Sequence, residues 1–174
     1  MNPLLDAYLC KKYPKIFANR GKSMRESCMY WGIDVGDGWF YIVDALCHRI
    51  QYWCDNPPWV EGKDGSYEPP VANPRAQVVF DQVKEKFSAL RIYYTGGDEY
   101  IRGLVDCAEG VSIRTCEVCG AMDHDVVVTT GWNTTLCIEH AKDRKFASRN
   151  DDELNKIWEQ IEDENKRKTT PNVS

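Results

Sequence analysis

The spacing of apolar residues predicts three helices in the first part of the chain. Residues 2–3, Asn-Pro, supply a capping side chain and a proline at the first helical position, and Pro14 limits the far end. A second helix is predicted over residues 39–54, with Asp37 as its cap, because its apolar side chains form a broad stripe at helical spacing. Asp98 is expected to cap a third helix, whose apolar positions again recur at helical spacing.

A change from helical spacing to alternation predicts a β-hairpin before the third helix. Leu90, Ile92 and Tyr94 alternate with Arg91 and Tyr93, which is typical of a strand with one buried face. The segment immediately before them is expected to be a second strand that pairs with the first. The pattern therefore predicts an α+β fold, in which helices pack on a small antiparallel sheet.

A proline-rich segment separates the second helix from the hairpin. Five of the eight prolines lie in residues 55–74, which predicts an irregular loop, either ordered for function or a mobile lid. Its Trp59 and Tyr67 suggest that the loop is partly packed down. We expect an α+β body over residues 1–112, which includes this loop, followed by a cysteine-rich unit over residues 113–149.

The tail, residues 150–174, is predicted to contain a charged amphipathic helix. Its narrow apolar stripe consists of Leu154, Ile157, Trp158 and Ile161. Because such a stripe has to be covered, we expect the tail helix to dock on the rest of the chain or on a partner.

Two cysteine and histidine pairs in the cysteine-rich unit predict a metal site. Cys116 and Cys119 are separated by two residues, as are Cys137 and His140, and the two pairs are separated by 17 residues. This is zinc-finger spacing, and thiolate and imidazole are the ligands that zinc prefers. The β-branched residues 126–130 predict a hairpin between the pairs. A cysteine knuckle, a hairpin and a helix that begins near Cys137 indicate a treble-clef-like zinc finger.

The predicted zinc is one structural ion, because Cys116, Cys119, Cys137 and His140 fill a tetrahedral shell and leave no open position for water. His124 is the remaining candidate ligand in the finger. Because two aspartates flank it, we interpret it as part of a polar surface loop.

The other five cysteines are an odd number, and we interpret them as free buried thiols of a reducing compartment. They are Cys10, Cys28, Cys47, Cys54 and Cys107. An alternative is a second metal site made by Cys28, Cys47, His48 and Cys54, although no short paired spacing supports it.

The composition indicates that the chain can form a hydrophobic core and that it carries a net negative charge. Hydrophobic residues make up 43% of the 174 residues, which is enough for a core, and the net charge is −5. The acidic balance argues against a phosphate backbone as the main partner, although it does not exclude a local basic face. No amino-terminal leader and no long apolar stretch is evident, so a cytoplasmic protein is expected.

Three segments together resemble a set of uncharacterised small proteins of tailed bacteriophages and prophages. They are SMRESCMYWGIDVGDGW over residues 23–39, QVKEKFSALRIYYTGGDEYI over residues 82–101, and RTCEVCG with GWNTTLCIEHA within residues 114–141. The resemblance covers most of residues 20–142 and implies a phage accessory protein that acts in the infected bacterial cytoplasm. It implies no known activity, so no catalytic residues follow from it.

Three functions are compatible with these patterns. The first is a zinc-stabilised module that binds a host or phage protein, or a small nucleotide signal as counter-defence proteins do. The second is a small hydrolase or nuclease that uses Asp34 and Asp37 in the glycine-rich loop. The third is a finger that binds nucleic acid through a basic cluster. That cluster consists of Lys142, Arg144, Lys145 and Arg149.

A ligand surface is predicted where the glycine-rich loop, residues 34–39, meets the strand that carries Arg91 and Tyr93. A cation beside an aromatic ring suits an anionic planar ligand, and glycines let backbone amides approach it. The candidate ligand-binding residues are Asp37, Trp39, Arg91, Tyr93 and Asp98. The alternative interpretation is that Arg91 pairs with Glu85 or Asp98 and that the glycines only make turns.

Overall fold

The computed structural model describes residues 1–70, 72–122 and 126–147, and in the tail residues 156–157, 159–161, 163 and 166–167. The α-helices up to residue 147 are α1 (Pro3–Lys12), α2 (Phe40–Asp55), α3 (Glu99–Ser112) and α4 (Ile138–Ala141), and the described tail residues are helical as predicted. The strands are β1 (Ile33–Asp34), β2 (Val60–Glu61), β3 (Tyr67–Glu68), β4 (Val79–Lys86), β5 (Ala89–Thr95), β6 (Val126–Thr129), β7 (Thr135–Cys137) and β8 (Phe146–Ala147). The fold is α+β, as predicted.

The helix starts agree with the predictions except at α2. Asn2 Oδ1 accepts the Leu4 N–H at the start of α1, and Asp98 Oδ1 accepts the Ile101 N–H at the start of α3. Asp37 does not cap α2, because its Oδ1 accepts the N–H of Asn2 instead. The chain enters α2 through a 3₁₀ turn, so the predicted cap is wrong.

The central sheet has the order β1-β4-β5 and is mixed, whereas the pattern predicted an antiparallel one. β4 and β5 pair antiparallel as predicted, with Leu90 and Ile92 buried and Tyr93 exposed. β1 pairs with β4 in parallel, and Ile33 lies opposite Val83. A two-residue strand is too short to show a period, which is why the pattern does not reveal it.

Helix α3 covers the free edge of this sheet. Ser112 Oγ accepts the N–H of Leu90 at 2.9 Å, and Glu109 Oε1 accepts the N–H of Ile92 at 3.0 Å. The other carboxylate oxygen of Glu109 lies 2.8 Å from Arg91 Nη1. Two N–H groups of this edge strand are thus satisfied by side chains, which blocks pairing with another strand there.

Two hydrophobic clusters stabilise the described part of the chain. The larger one lies between the central sheet and the helices of the body, and its largest buried side chains include Trp39, Phe80, Leu9, Ile16 and Met29. The smaller one belongs to the cysteine-rich unit and consists of Cys116, Val126, Val127, Leu136, Cys137 and Ala141. The cysteine-rich unit therefore has its own small core.

The proline-rich segment is more regular and more exposed than predicted. β2 and β3 pair as a short antiparallel ribbon, with Gly65 at a φ of 78° in the turn between them. Trp59 and Tyr67 are exposed, so the prediction that they pack down is wrong for the described residues. The far end of the segment is anchored on α2, where Arg75 Nη1 donates to the Trp53 carbonyl at 2.9 Å.

The cysteines outside the cysteine-rich unit are free, but they are not all buried. Cys47 and Cys54 are buried, Cys10 is half-buried, and Cys28 and Cys107 are exposed, which corrects the prediction for the last two. Within the described ranges, Cys28, Cys47, His48 and Cys54 do not converge as a metal site. The predicted tail stripe lies partly outside the described residues, since of its four members only Ile157 and Ile161, both exposed, are described.

Candidate metal centre

Four side chains from three separate segments converge at the predicted metal site. Cys116 and Cys119 lie in the turn after α3, Cys137 ends β7, and His140 lies in α4. Their ligand atoms all lie within 4.8 Å of one another. Among the residues that the structure describes, no other group of three or more His, Cys, Asp or Glu side chains is arranged to hold a metal.

The separations between the ligand atoms fit a single ion. Cys119 Sγ lies 3.8 Å from Cys137 Sγ, and Cys116 Sγ lies 3.7 Å from His140 Nδ1. Cys137 Sγ and His140 Nδ1 are closer, at 3.1 Å. Cys116 and Cys137 are buried, whereas Cys119 and His140 are exposed, so the group sits at the surface with one side sealed by protein.

The knuckle, residues 116–120, is a tight turn held by main-chain hydrogen bonds. The Gly120 N–H donates to the Cys116 carbonyl at 2.8 Å, and Gly120 has a φ of 79°, a conformation that side chains other than glycine rarely adopt. The Glu117 N–H donates to the Thr135 carbonyl at 2.9 Å. This bond fixes the first ligand pair against β7, which ends at the third ligand.

The backbone around the knuckle favours thiolate at Cys116. Burial opposes ionisation of this thiol, but the N–H groups of Cys119, Cys137 and Val118 outweigh burial, and the pKa of Cys116 lies below its ordinary value. Burial, together with hydrogen bonds to the other two sulfurs, raises the pKa of Cys137 to about 11, and the His140 N–H partly opposes this rise. A bound cation would offset that cost, because metal binding releases the thiol proton.

β7, which ends at the ligand Cys137, belongs to a three-stranded sheet of order β7-β6-β8. The β6–β7 hairpin agrees with the prediction, and β7 is followed by a helical turn that contains His140. The predicted helix is only four residues long, because the chain leaves it after Ala141 and returns as β8 beside β6. The sequence pattern did not predict β8, which is too short to show a period.

The glycine-rich loop before α2 packs on the knuckle. The Gly38 N–H donates to the Glu117 carbonyl at 2.8 Å, and the Gly36 N–H donates to Glu117 Oε1 at 2.9 Å. A Cβ on Gly38 would lie 2.2 Å from the Cys116 carbonyl oxygen. Trp39 is fully buried, and its Nε1 donates to the Thr115 carbonyl. The glycine-rich loop therefore supports the knuckle that carries Cys116 and Cys119.

The Glu117 side chain is half-buried in this contact. Burial raises the pKa of its carboxyl group above the ordinary value, and the Gly36 N–H opposes this rise. Sequence reasoning missed Glu117 because its role depends on a contact across 81 positions of the chain. The only local signal was its place between the two knuckle cysteines.

The predicted ligand surface is not formed as expected. The glycine-rich loop contacts the knuckle rather than β5, because β4 separates β1 from β5 in the sheet. Arg91 pairs with Glu109, which neither interpretation named, and Tyr93 is exposed with Lys84 Nζ 5.2 Å from its ring. Asp98 caps α3 and accepts the N–H of the Trp53 ring.

Two of the predicted ligand-binding residues are already engaged at the start of α2. Trp39 is inaccessible to a ligand, and Asp37 accepts the N–H of Asn2. Asp34 and Asp37, the proposed hydrolase pair, are not part of the metal-binding group. In the predicted basic cluster, Lys142, Arg144 and Lys145 are exposed between α4 and β8. Arg149 and His124 lie outside the described residues.

No protein-family model, no curated protein and no solved structure matches the chain. Over the described residues, no helix combines the length and the apolar character that crossing a membrane requires.

Proposed function

We propose that the protein is a zinc-stabilised binding module, in which the metal builds a surface and performs no chemistry. The observation that carries this proposal is the convergence of Cys116, Cys119, Cys137 and His140 within 4.8 Å. Three thiolates and one imidazole make up a ligand set that selects zinc over the hard cations, which take oxygen ligands.

The distances support zinc as the ion. Ligands held at zinc–sulfur bond lengths in a tetrahedron are about 3.8 Å apart. The Cys119–Cys137 separation of 3.8 Å and the Cys116–His140 separation of 3.7 Å agree with this value, whereas the Cys137–His140 separation of 3.1 Å is shorter. The order of knuckle, hairpin and helical turn supports a treble-clef-like finger, and four protein ligands close the shell against a catalytic water.

The rest of the proposal concerns setting and partner. The resemblance to small phage and prophage proteins supports an accessory protein of the infected bacterial cytoplasm, one that engages a host or phage protein or a small nucleotide signal. A second candidate, nucleic acid, is favoured by exposed aromatic and basic side chains on the cysteine-rich unit, Trp132 and Lys145 among them. In each case the metal supplies stability and the exposed side chains supply recognition.

Metal analysis tests this proposal. We expect protein purified without chelators to contain about one zinc per chain, and we expect Cys119→Ser to lose it, because three ligands hold zinc much less tightly than four. Cys107→Ser is the matched control, since Cys107 is an exposed thiol outside the group and should leave the zinc content unchanged.

Cobalt substitution tests the closed shell. The absorption spectrum of the cobalt protein should be that of a tetrahedral sulfur-rich site and should not respond to small anions that replace bound water. An anion-sensitive spectrum would mean an open coordination position and would contradict a purely structural metal. Protein with no zinc, prepared without chelator, would contradict the whole proposal.

A further inference from the structure

Two exposed aromatic side chains from distant parts of the chain line one recess. Phe87, at the tip of the β4–β5 hairpin, is 75% exposed, and Trp132, in the loop between β6 and β7, is 81% exposed. Both line a cavity of about 390 Å³, which lies within the roughly 300–1,000 Å³ range of ligand sites. Single exposed aromatic residues are common on protein surfaces and need no explanation. Two that line one recess where the body meets the finger instead indicate a binding site.

The position of Phe87 is conformationally costly. Phe87 and Ser88 have φ values of 54° and 65°, the left-handed region in which two-residue hairpin turns usually place Asn and Gly. A bulky residue there costs roughly 1–2 kcal/mol. Stability does not explain a phenylalanine in that conformation with its ring in solvent. Strained positions of this kind cluster at functional sites.

The hairpin tip is held rigidly against the finger. The Ser88 N–H donates to Glu85 Oε1 at 2.6 Å, and the Thr135 hydroxyl donates to the Ser88 carbonyl at 2.7 Å in a buried contact. Thr135 lies two residues before a metal ligand, so the metal centre fixes the tip on which Phe87 is displayed.

Trp132 is displayed by an equally constrained loop. The Thr129 hydroxyl donates to the Trp132 carbonyl at 2.7 Å and accepts the Thr134 N–H at 3.0 Å. The Thr130 N–H donates to the Lys145 carbonyl at 2.7 Å, which ties the segment before β8 to the same loop. The Trp132 ring is therefore exposed at the surface, while the backbone of its loop is held in place by hydrogen bonds.

Positive charge flanks both rings. Lys86 lines the first recess, and its Nζ lies 5.1 Å from the Phe87 ring centroid. Arg144 and Lys145 line a second recess of about 440 Å³ against Trp132. None of these three cations forms an ion pair within the described part of the chain. The one carboxylate at the first recess, Glu85, accepts the Ser88 N–H.

We propose that this surface binds single-stranded nucleic acid, with bases stacked on Trp132 and Phe87 and phosphates near Lys86, Arg144 and Lys145. This inference deepens and rests on the proposed binding function. Aromatic platforms beside cations are the features that bind unpaired strands, since each base offers a flat face and each phosphate a negative charge. A duplex hides its base faces, and an apolar peptide would leave the three cations without partners.

The local cations make binding dependent on salt, although the chain as a whole is acidic. The net charge is −5, so distant charges repel the ligand while the local cations attract it. Each phosphate neutralised on a single strand contributes about 0.7 to the slope of log K against log salt. Replacing Lys86 and Lys145 together by Gln should therefore reduce that slope by about 1.4.

Fluorescence anisotropy with labelled oligo-dT and oligo-rU of about 12 nucleotides tests the proposal at low salt, on zinc-loaded protein. We expect binding, and we expect Trp132→Ala to weaken it roughly 5- to 150-fold, the range of losses for one stacked base. Phe87→Asn should also weaken binding while it relieves backbone strain, so its thermal midpoint should not fall. Trp59→Ala is the control, because Trp59 is an exposed tryptophan of the proline-rich segment and should have no effect.

The zinc content, measured on the same samples, separates the two proposals. Zinc-loaded protein that binds neither oligonucleotide would overturn this inference and leave the zinc-stabilised module intact. Equal binding to a duplex of the same length, unaffected by Trp132→Ala, would reduce the surface to general electrostatic attraction and would also overturn it. Free mononucleotide and a poly-glutamate peptide serve as competitors. If either competes as strongly as unlabelled oligonucleotide does, the surface binds that class of ligand and the inference is overturned.

Discussion

At the scale of single residues, the loop before α2 is shaped by what it touches. A Cβ on Gly36 would lie 2.2 Å from the Glu117 carbonyl oxygen, and a Cβ on Gly38 would lie the same distance from the Cys116 carbonyl oxygen. Backbone atoms cannot move aside as a flexible side chain can. These glycines are required by the close approach of two chain segments rather than by a turn.

Gly38→Ala should therefore destabilise the protein and weaken metal retention. Overpacking of this kind costs typically 1–3 kcal/mol, and here the displaced atoms belong to the knuckle that presents Cys116 and Cys119. The measurements are a thermal melt and the rate of zinc transfer to a colorimetric chelator. We expect a lower midpoint and faster transfer.

Gly103→Ala is the matched control for that experiment. Gly103 lies in α3 with nothing within 4 Å of its would-be Cβ, so alanine should raise stability by up to about 1 kcal/mol through better helix propensity. If Gly38→Ala releases zinc no faster than Gly103→Ala does, the knuckle does not depend on this contact.

These residues mark the limit of what the sequence predicts about the site. The convergence of Cys116, Cys119, Cys137 and His140 follows from spacing, because each pair is local and one metal shell joins them. The roles of Gly36 and Gly38 do not follow, because their partners lie about 80 positions away. Without that contact, the sequence alone assigns these glycines to a ligand surface.

At the scale of elements, the β4–β5 pairing is the most extensive contact between two described elements, and α3 covers its edge. The hairpin and all three long helices were predictable, because their periods extend over several turns or pleats. β1 and β8 were not, because two residues each carry no period. The parallel pairing of β1 and the position of α3 along the β5 edge are tertiary facts that no local pattern encodes.

Ser112→Ala tests the cover of the sheet edge. The Ser112 hydroxyl accepts the buried Leu90 N–H and donates to the Glu109 carbonyl. Removing it leaves the Leu90 N–H without a partner in a site that excludes water, which costs about 1–3 kcal/mol. Chemical denaturation should show the loss as a lower midpoint with an unchanged slope.

Ser66→Ala provides the comparison for the sheet-edge test, because Ser66 is exposed in the β2–β3 ribbon and its hydroxyl bonds to Asp64 in solvent. Its stability should stay within about 0.5 kcal/mol of the parent protein. Equal stability of the two variants would show that the Leu90 N–H finds another acceptor. The Ser112 hydroxyl of α3 would then not be needed to cover this edge of the sheet.

At the scale of the whole molecule, the metal centre joins two units that have separate cores. The body has a large buried cluster of its own, whereas the described part of the cysteine-rich unit has a cluster of six buried residues. Structural zinc contributes on the order of 10 kcal/mol to small domains. That is comparable to the entire stability of a typical protein, about 5–15 kcal/mol, so the small unit should not survive without the ion, while the body should.

Hydrogen exchange with and without a chelator tests this division. We expect the amides of β6 and β7 to lose protection when the metal is removed, because their sheet depends on the centre. The N–H groups of Gly36 and Gly38 should also exchange faster, since both donate to Glu117 in the knuckle. The Ile92 N–H, which donates to Glu109 within the body, should keep its protection.

Zinc added back to the chelated protein should restore the slow exchange, which rules out irreversible damage as the cause. Because Thr135 holds the Ser88 carbonyl, the hairpin tip that displays Phe87 should loosen together with the finger. Protection lost uniformly, including that of Ile92, would mean that body and finger form one cooperative unit despite their separate cores. Protection kept in β6 and β7 would mean that protein contacts alone hold the finger, and that the four ligands are preorganised before the metal binds.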